Sequence, residues 1–160
     1  MTRRTTKRVL VLVVLTFGAL AGIPAAQAQV VTNETASYGY SGYVSCANGG
    51  AGEFVNGTID VHDLVTETVN DNVDQWQFQF QPHGRIVGSV TGDTYQLTGL
   101  TRGTYKDSLQ ESASTLTYVE TYQLIGPGPA NDLRVRELAH ITRHGDEIIV
   151  DHDNWTIECT

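Results

Sequence analysis

Residues 116–159 read LTYVETYQLIGPGPANDLRVRELAHITRHGDEIIVDHDNWTIEC and contain three segments in which apolar and polar residues alternate. Alternation with a period of two is typical of β-strands that bury one face. The connection GPGPAN cannot lie in a central strand, because proline lacks the amide proton that a strand ladder needs. The stretch therefore predicts three antiparallel strands, with a tight turn at His144-Gly145 between the last two.

Three ionisable residues interrupt the apolar face of these strands: Glu120, Glu137 and His152. With a two-residue turn between the last two strands, Glu137 lies opposite His152. If Leu124 is aligned with Leu133 across the longer connection, the two glutamates also lie opposite each other. We therefore expect the three residues in a row, with Cβ atoms of direct neighbours about 4.5–5.5 Å apart.

This trio is the candidate catalytic site. Two carboxylates that close and partly buried cannot easily both ionise, so one pKa should rise and the nearby imidazole should stay protonated. Glu120, Glu137 and His152 would suit acid/base chemistry or a Glu-Glu-His metal site. The alternative is that the three residues have only a structural role. Glu137 and His152 would then pair with each other in the core, and Glu120 would be solvated near the mouth of a barrel. No motif for another metal or a cofactor occurs, and we predict no cofactor.

An aromatic face is predicted in the preceding strands. The alternating segment 73–81 is followed by two turn signals, Pro82-His83-Gly84 and Gly92-Asp93. These turns predict three consecutive strands that share one apolar face, with Phe78 opposite Gly88. A slip of one residue would move that whole face to the other side of the sheet. With two tyrosines further along the chain, the face supplies a candidate ligand pocket: Trp76, Phe78, Phe80, Tyr95, Tyr118 and Tyr122.

The chain begins with the pattern of a signal peptide, residues 1–28. Four basic residues precede a short apolar run, and Ala26-Gln27-Ala28 is a small-residue cleavage site. We expect a loose leader with a possible short strand over residues 29–45 and a β-domain over residues 46–160. No later run is apolar enough to span a membrane, so we predict a secreted protein without membrane insertion.

Charge excludes several classes of partner. The full chain carries 10 Lys+Arg and 18 Asp+Glu, and removal of residues 1–28 leaves six basic residues and a formal charge of −12. Such a chain has no basic stripe to neutralise nucleic-acid phosphates or anionic lipids. Solubility outside the cell is the simplest use of the excess acid, and cation binding is a more specific one.

The two cysteines, Cys46 and Cys159, lie near the two ends of the predicted domain. In an exported chain a disulfide between them is the default expectation. Closing a loop of this length stabilises the fold by about 4–5 kcal/mol in the chain-entropy model. We predict a structural disulfide.

About eight predicted strands, joined mainly by short connections and without a convincing helix, indicate an all-β fold. We predict a single antiparallel meander closed into a β-barrel by the Cys46–Cys159 disulfide, with a β-sandwich as the alternative. The barrel is favoured because the hairpins are sequential and because strands this long would otherwise expose their edges.

Three segments resemble parts of small exported bacterial proteins of unknown function: CANGGAGE (residues 46–53), GPGPAND (residues 126–132) and VDHDNWTIEC (residues 150–159). The resemblance would cover most of the predicted mature chain. It implies a bacterial source and a shared fold, and it implies no activity, ligand or site residue.

Three functional hypotheses follow. The first is a non-enzymatic binding module that holds a small apolar or aromatic ligand, which requires an internal cavity. The second is an extracellular interaction or structural protein that uses exposed Thr/Gln strand faces or an open edge strand. The third is an enzyme working through Glu120, Glu137 and His152, which requires the three side chains to converge in a hollow that solvent can reach. The sequence predicts no oligomeric state.

Overall fold

In the computed structural model, which describes residues 27–128 and 131–160, seven strands pair in sequence order to form one antiparallel sheet. The strands are β1 (Gln27–Val44), β2 (Glu53–Val69), β3 (Val73–Gly88), β4 (Thr94–Ser108), β5 (Ala113–Ile125), β6 (Leu133–His144) and β7 (Glu147–Cys159). The all-β class and the meander are confirmed. The described ranges contain one short 3-10 turn, Asn48–Gly50, and no helix in them is long and apolar enough to cross a membrane.

The number of strands is smaller than predicted because Pro82-His83-Gly84 does not form a turn. β3 runs continuously through this tripeptide, and no pair of the β3–β4 ladder involves Pro82. Pro82 pairs with Val61 of β2, and its missing amide proton costs no bond in the β3–β4 ladder. The predicted pair of Phe78 with Gly88 is wrong, since Phe78 lies opposite Gly103 on β4. The following connection spans residues 89–93 and is longer than the predicted two-residue Gly92-Asp93 turn.

The predicted loose leader, residues 29–45, instead forms most of the 18-residue strand β1. β1 pairs with β2 from Gln27–Val69 to Val44–Glu53, with one irregularity between Val30 and Thr32. The predicted signal peptide, residues 1–28, lies outside the described residues apart from its last two, which begin β1.

The sheet is curled so that its first and last strands approach each other at one end. In a flat sheet with strands about 4.8 Å apart, β1 and β7 would be separated by about 29 Å. The Cα atoms of Cys46, which follows β1, and Cys159, at the end of β7, are 5.4 Å apart and the residues are joined by a disulfide. The predicted disulfide is therefore confirmed. No ladder joins β1 to β7 in the parts of the chain that the structure describes, so hydrogen bonds do not close the sheet.

Glycines on the inner side of the sheet make room for this curvature. A Cβ atom at Gly103 would lie 2.5 Å from the ring of Phe78, and one at Gly84 would lie 2.9 Å from the side chain of Ile59. Bulky side chains thus lie over glycines of neighbouring strands, which allows the strands to bend inward without a clash.

The hydrophobic core fills the disulfide end of the concave face. Its buried residues come from β1 to β6 and the turn after β1: Val44, Cys46, Ala47, Val55, Ile86, Tyr95, Leu97, Leu124, Leu133 and Val135. Side chains of the same face are only half-buried toward the other end of the sheet. The core therefore closes one end of the curled sheet and leaves the concave face more open beyond it.

Candidate ligand-binding site

A cavity of about 310 Å³, here called the concave cavity, lies on the concave face beside the core. Side chains from β1 to β5 line it: Tyr40, Ile59, Pro82, Leu97, Glu120 and Tyr122. Tyr40, Ile59 and Tyr122 also pack against the buried core, which forms the floor of the cavity. A mainly apolar and aromatic lining with few polar groups is typical of small-ligand sites, and the volume is at the lower end of their usual range.

The aromatic residues predicted to form a pocket share the concave face by strand register: Trp76, Phe78, Phe80, Tyr95, Tyr118 and Tyr122. Of these, Tyr122 lines the concave cavity, whereas Tyr95 is fully buried in the core. The other four lie toward the opposite end of the sheet and are half-buried. The predicted face is therefore real, but the cavity occupies only a small part of it.

Five residues of the cavity are absent from the predicted pocket: Tyr40, Ile59, Pro82, Leu97 and Glu120, the last of which is a predicted catalytic candidate. Tyr40 belongs to the segment predicted as a leader, and Pro82 to a predicted turn. The alternation of Tyr38 and Tyr40 with the small residues Gly39 and Ser41 is the sequence signal that Tyr40 lies on a strand. For Pro82 no comparable signal exists, since proline usually ends strands.

Glu120 on β5 lies opposite Glu137 on β6, as predicted. Burial and the neighbouring charge of Glu137 raise the pKa of Glu120. The hydroxyl of Tyr118 donates a hydrogen bond to Glu137. That hydrogen bond, burial and the nearby carboxylate charges raise the pKa of Tyr118 to about 12. Glu137 thus has a partner, while the Glu120 carboxylate accepts no hydrogen bond from the described residues.

Two tyrosines of the concave cavity lie within electrostatic reach of Glu120. Burial and the charge of Glu120 raise the pKa of Tyr40. Burial, Tyr40 and both glutamates raise the pKa of Tyr122. Both phenols are therefore neutral at pH 7. Since Tyr40 is on β1 and Glu120 is on β5, the curl of the sheet brings the two together.

His152 does not join the two glutamates. It lies opposite His140, on the convex face, so the predicted pair of Glu137 with His152 is wrong. The turn between β6 and β7 consists of Gly145 and Asp146, and a register shift occurs between Thr142 and Arg143. Because a bulge adds one residue to one strand, it exchanges the two faces for every residue beyond it.

The Glu-Glu-His arrangement required by the enzymatic hypothesis therefore does not form. Within residues 27–128 and 131–160, no group of three His, Cys, Asp or Glu side chains is placed to hold a metal ion. On the convex face, His140 Nδ1 and Thr117 Oγ1 are 2.7 Å apart. The carboxylate pair of Glu120 and Glu137 is the part of the predicted site that the structure retains.

Glu53 is a buried carboxylate for which the sequence holds no signal. It is 2 % exposed and accepts hydrogen bonds of 2.7–3.1 Å from the amides of Val90 and Thr91 and from the hydroxyls of Thr91 and Tyr95. Burial opposes its ionisation, but the hydrogen bonds outweigh burial and lower its pKa to about 2. Glu53 thus fastens the connection between β3 and β4 to the start of β2.

Two further hollows lie on the convex side of the sheet. One, of about 370 Å³, is lined mainly by outward-facing side chains of β4 to β6, including Thr98, Gln123, Arg134 and Arg136. The other, of about 230 Å³, lies between β6 and β7 and shares the two arginines. The larger hollow exceeds the concave cavity in volume, but it is more open to solvent, and two arginines carry positive charge at its wall. The concave cavity is therefore the better candidate for a small apolar ligand.

Comparisons with known proteins give no match. No protein-family model matches the chain, and neither a curated protein nor a solved structure matches it significantly.

Proposed function

We propose that the protein is a non-enzymatic binding module that holds a small, mainly apolar or aromatic ligand in the concave cavity. The observation that carries the proposal is the cavity itself. A solidly packed interior would leave no such space, yet about 310 Å³ lies open between side chains of five strands. The rings of Tyr40 and Tyr122 and the apolar side chains of Ile59 and Leu97 offer a ligand apolar contact on several sides.

Energetics favour a ligand that also makes a polar contact. A buried aromatic ring removes roughly 150–250 Å² from water, which contributes about 4–6 kcal/mol at 25 cal/mol per Å². Association costs a comparable free energy, because the ligand loses translational and rotational freedom. A purely apolar single ring would therefore bind weakly, and a contact with Glu120 or a tyrosine hydroxyl would add to the affinity.

We also propose that the protein works outside the cytoplasm, as a barrel-like container that is open along the gap between β1 and β7. The Cys46–Cys159 disulfide supports an oxidising compartment. The signal-peptide pattern of residues 1–28 supports export. Fractionation of the source cells, followed by N-terminal sequencing, tests both statements, and a cytoplasmic chain that keeps residues 1–28 would overturn them.

The binding proposal is tested by filling the cavity. Ile59→Trp replaces an aliphatic side chain of the lining with a larger indole ring. The matched control is Val87→Trp, at an outward-facing position of β3 that is 43 % exposed. Native mass spectrometry of the three proteins is compared, together with titration of indole and of benzyl alcohol followed by NMR. We expect retained ligand and saturable binding in the wild type and Val87→Trp, and loss of both in Ile59→Trp. Equal binding by both variants would place the ligand elsewhere.

A second candidate function, an interaction protein, is supported by the edge strands. All residues of β7 are exposed, including Ile149 at 56 % and Trp155 at 60 %. β1 is the opposite edge of the sheet. Unpaired edges with exposed apolar side chains can add a strand from another chain.

Self-association through β7 is the simplest form of this second function. Sedimentation equilibrium would be measured over a range of concentrations for the wild type, for Ile149→Lys on the edge and for Val87→Lys on a central strand. We expect oligomers that only the edge variant abolishes, because a charge on an edge strand opposes pairing. A wild type that is monomeric at every concentration would exclude self-association through this edge.

A further inference from the structure

Glu120 is the one carboxylate among the side chains that line the concave cavity. It accepts no hydrogen bond from the described residues, and burial together with Glu137 makes its ionised form costly. Its direct neighbours across the strands are Thr101 and Glu137, so neither offers a positive charge. Among the residues that the structure describes, no neighbour therefore compensates the negative charge of Glu120.

No cation of the described strands β1 to β5 faces the concave side. Strand register places every Lys, Arg and His of these strands on the convex side: His62, His83, Arg85, Arg102 and Lys106. Carboxylates, in contrast, occupy concave positions on β2, β3 and β5, for example Asp63, Asp74 and Glu120. These carboxylates therefore make the potential along the concave side of β1 to β5 negative, which opposes an anionic ligand. The concave cation of β6, Arg143, lies opposite Ser114 at the end of the sheet away from the disulfide.

The remaining lining of the cavity suits a positive charge on an organic body. The faces of tyrosine rings attract cations, and the attraction is larger where water is excluded. Tyr40 and Tyr122 line the same cavity as Glu120, while Ile59, Pro82 and Leu97 supply apolar contact. A neutral ligand would displace water from the half-buried carboxylate without offering it a positive charge, which costs free energy.

A bare metal ion fits this site poorly. Divalent ions need several protein ligands, usually six to eight oxygens for calcium. The cavity offers a single carboxylate, and no metal-binding group of three acidic, His or Cys side chains occurs in the described ranges. An ammonium group needs only one carboxylate and aromatic surface.

We propose that the ligand is a small organic cation, an ammonium group on an aromatic or apolar body, bound with its charge against Glu120 and between Tyr40 and Tyr122. This inference rests on the proposed binding function and names the chemical class of the ligand. The volume of about 310 Å³ admits a ligand built on one or two rings and excludes long-chain lipids.

The test measures how tightly the disulfide-bonded protein binds three probes that are similar in shape but differ in charge: benzylammonium, benzyl alcohol and benzoate. Binding is measured by calorimetry and by NMR at low ionic strength, where screening is weak. We expect benzylammonium to bind at least about tenfold more tightly than benzyl alcohol, and benzoate to bind least. Glu120→Gln should abolish this preference, because it should weaken benzylammonium binding at least about tenfold more than it weakens benzyl alcohol binding.

The matched control is Glu67→Gln, which removes the same charge from a concave position outside the cavity. It should leave the preference for benzylammonium intact. If it reduces the preference as much as Glu120→Gln does, the assignment to Glu120 is overturned. Equal affinity of the wild type for benzylammonium and benzyl alcohol overturns the cationic ligand but leaves the binding function standing. If none of the three probes binds, both proposals fail.

Discussion

Glu120 and Glu137 lie directly opposite each other on β5 and β6, and their surroundings separate their roles. Glu137 accepts a hydrogen bond from the hydroxyl of Tyr118, whereas Glu120 lines the concave cavity. Two carboxylates in direct register on a half-buried face repel each other. The protein therefore keeps a destabilising charge at the wall of its cavity, which is expected where a ligand supplies the opposite charge.

Glu120→Gln is expected to stabilise the unliganded protein at pH 7 by about 0.5 kcal/mol. The pKa of Glu120 is raised in the folded state, so the folded state binds this proton more tightly than the unfolded state does. The free energy of unfolding therefore falls as the pH rises from the pKa of Glu120 in the unfolded state to its higher pKa in the folded state. Urea unfolding at pH 7 and pH 3 measures the effect. An equal gain at pH 3, where both states hold the proton, would contradict it.

Glu137→Gln is expected to lower the pKa of Tyr118 from about 12 toward its ordinary value of about 10. The substitution removes the charge and weakens the hydrogen bond that favours the protonated phenol. NMR titration of ring-labelled tyrosine follows the change. His152→Ala is the control, because His152 lies on the convex face. A comparable shift in that variant would support the Glu137–His152 pairing that the structure rules out.

The register of β5 and β6 is predictable from the sequence because both faces constrain it. The connection at residues 126–131 cannot pair, and alignment of Leu124 with Leu133 keeps most apolar residues of both strands on one side. The disulfide is predictable for a different reason: Cys46 has no other cysteine to pair with. The register alone is enough to place Glu120 beside Glu137.

The register of β6 and β7 is not predictable by the same reasoning. The register shift between Thr142 and Arg143 leaves one extra residue on β7, and no sequence motif predicts it. The extra residue moves His152 to the other face. Pro82 misleads in a similar way, because it pairs with Val61 of β2 at a point where the β3–β4 ladder is interrupted, and that interruption depends on the neighbouring strand and not on local sequence. The lining of the cavity therefore cannot be predicted from the sequence, because it depends on how the sheet curls.

Glu53→Gln is expected to destabilise the protein at neutral pH, by more than Glu120→Gln stabilises it. The lowered pKa of Glu53, about 2, means that its contribution is present above the unfolded pKa of about 4.3. That contribution is lost as the pH falls toward 2. Thermal unfolding from pH 7 to pH 2 should show a flatter acid limb in the variant. An unchanged acid limb would show that these hydrogen bonds do not depend on the charge.

Gly103→Ala is expected to destabilise the fold by about 1–3 kcal/mol through overpacking. The new Cβ atom would lie 2.5 Å from both the ring of Phe78 and the carbonyl oxygen of Thr117, and the backbone cannot yield cheaply. Gly39→Ala on β1 is the matched control, since nothing lies within 4 Å of its Cβ position. Urea unfolding of the two variants should differ by at least about 1 kcal/mol. Equal stability would mean that the inner glycines are not needed for the curl.

Removal of the disulfide in Cys46→Ala/Cys159→Ala is expected to lower the free energy of unfolding by about 4–5 kcal/mol. The sequence separation of 113 residues makes the closed loop long, so the cross-link greatly restricts the unfolded chain. It also holds the edges of the sheet together beside the core and the cavity. Urea unfolding and benzyl alcohol binding should both weaken in the variant and in reduced wild type. A loss below about 1 kcal/mol would show that the core alone maintains the curl.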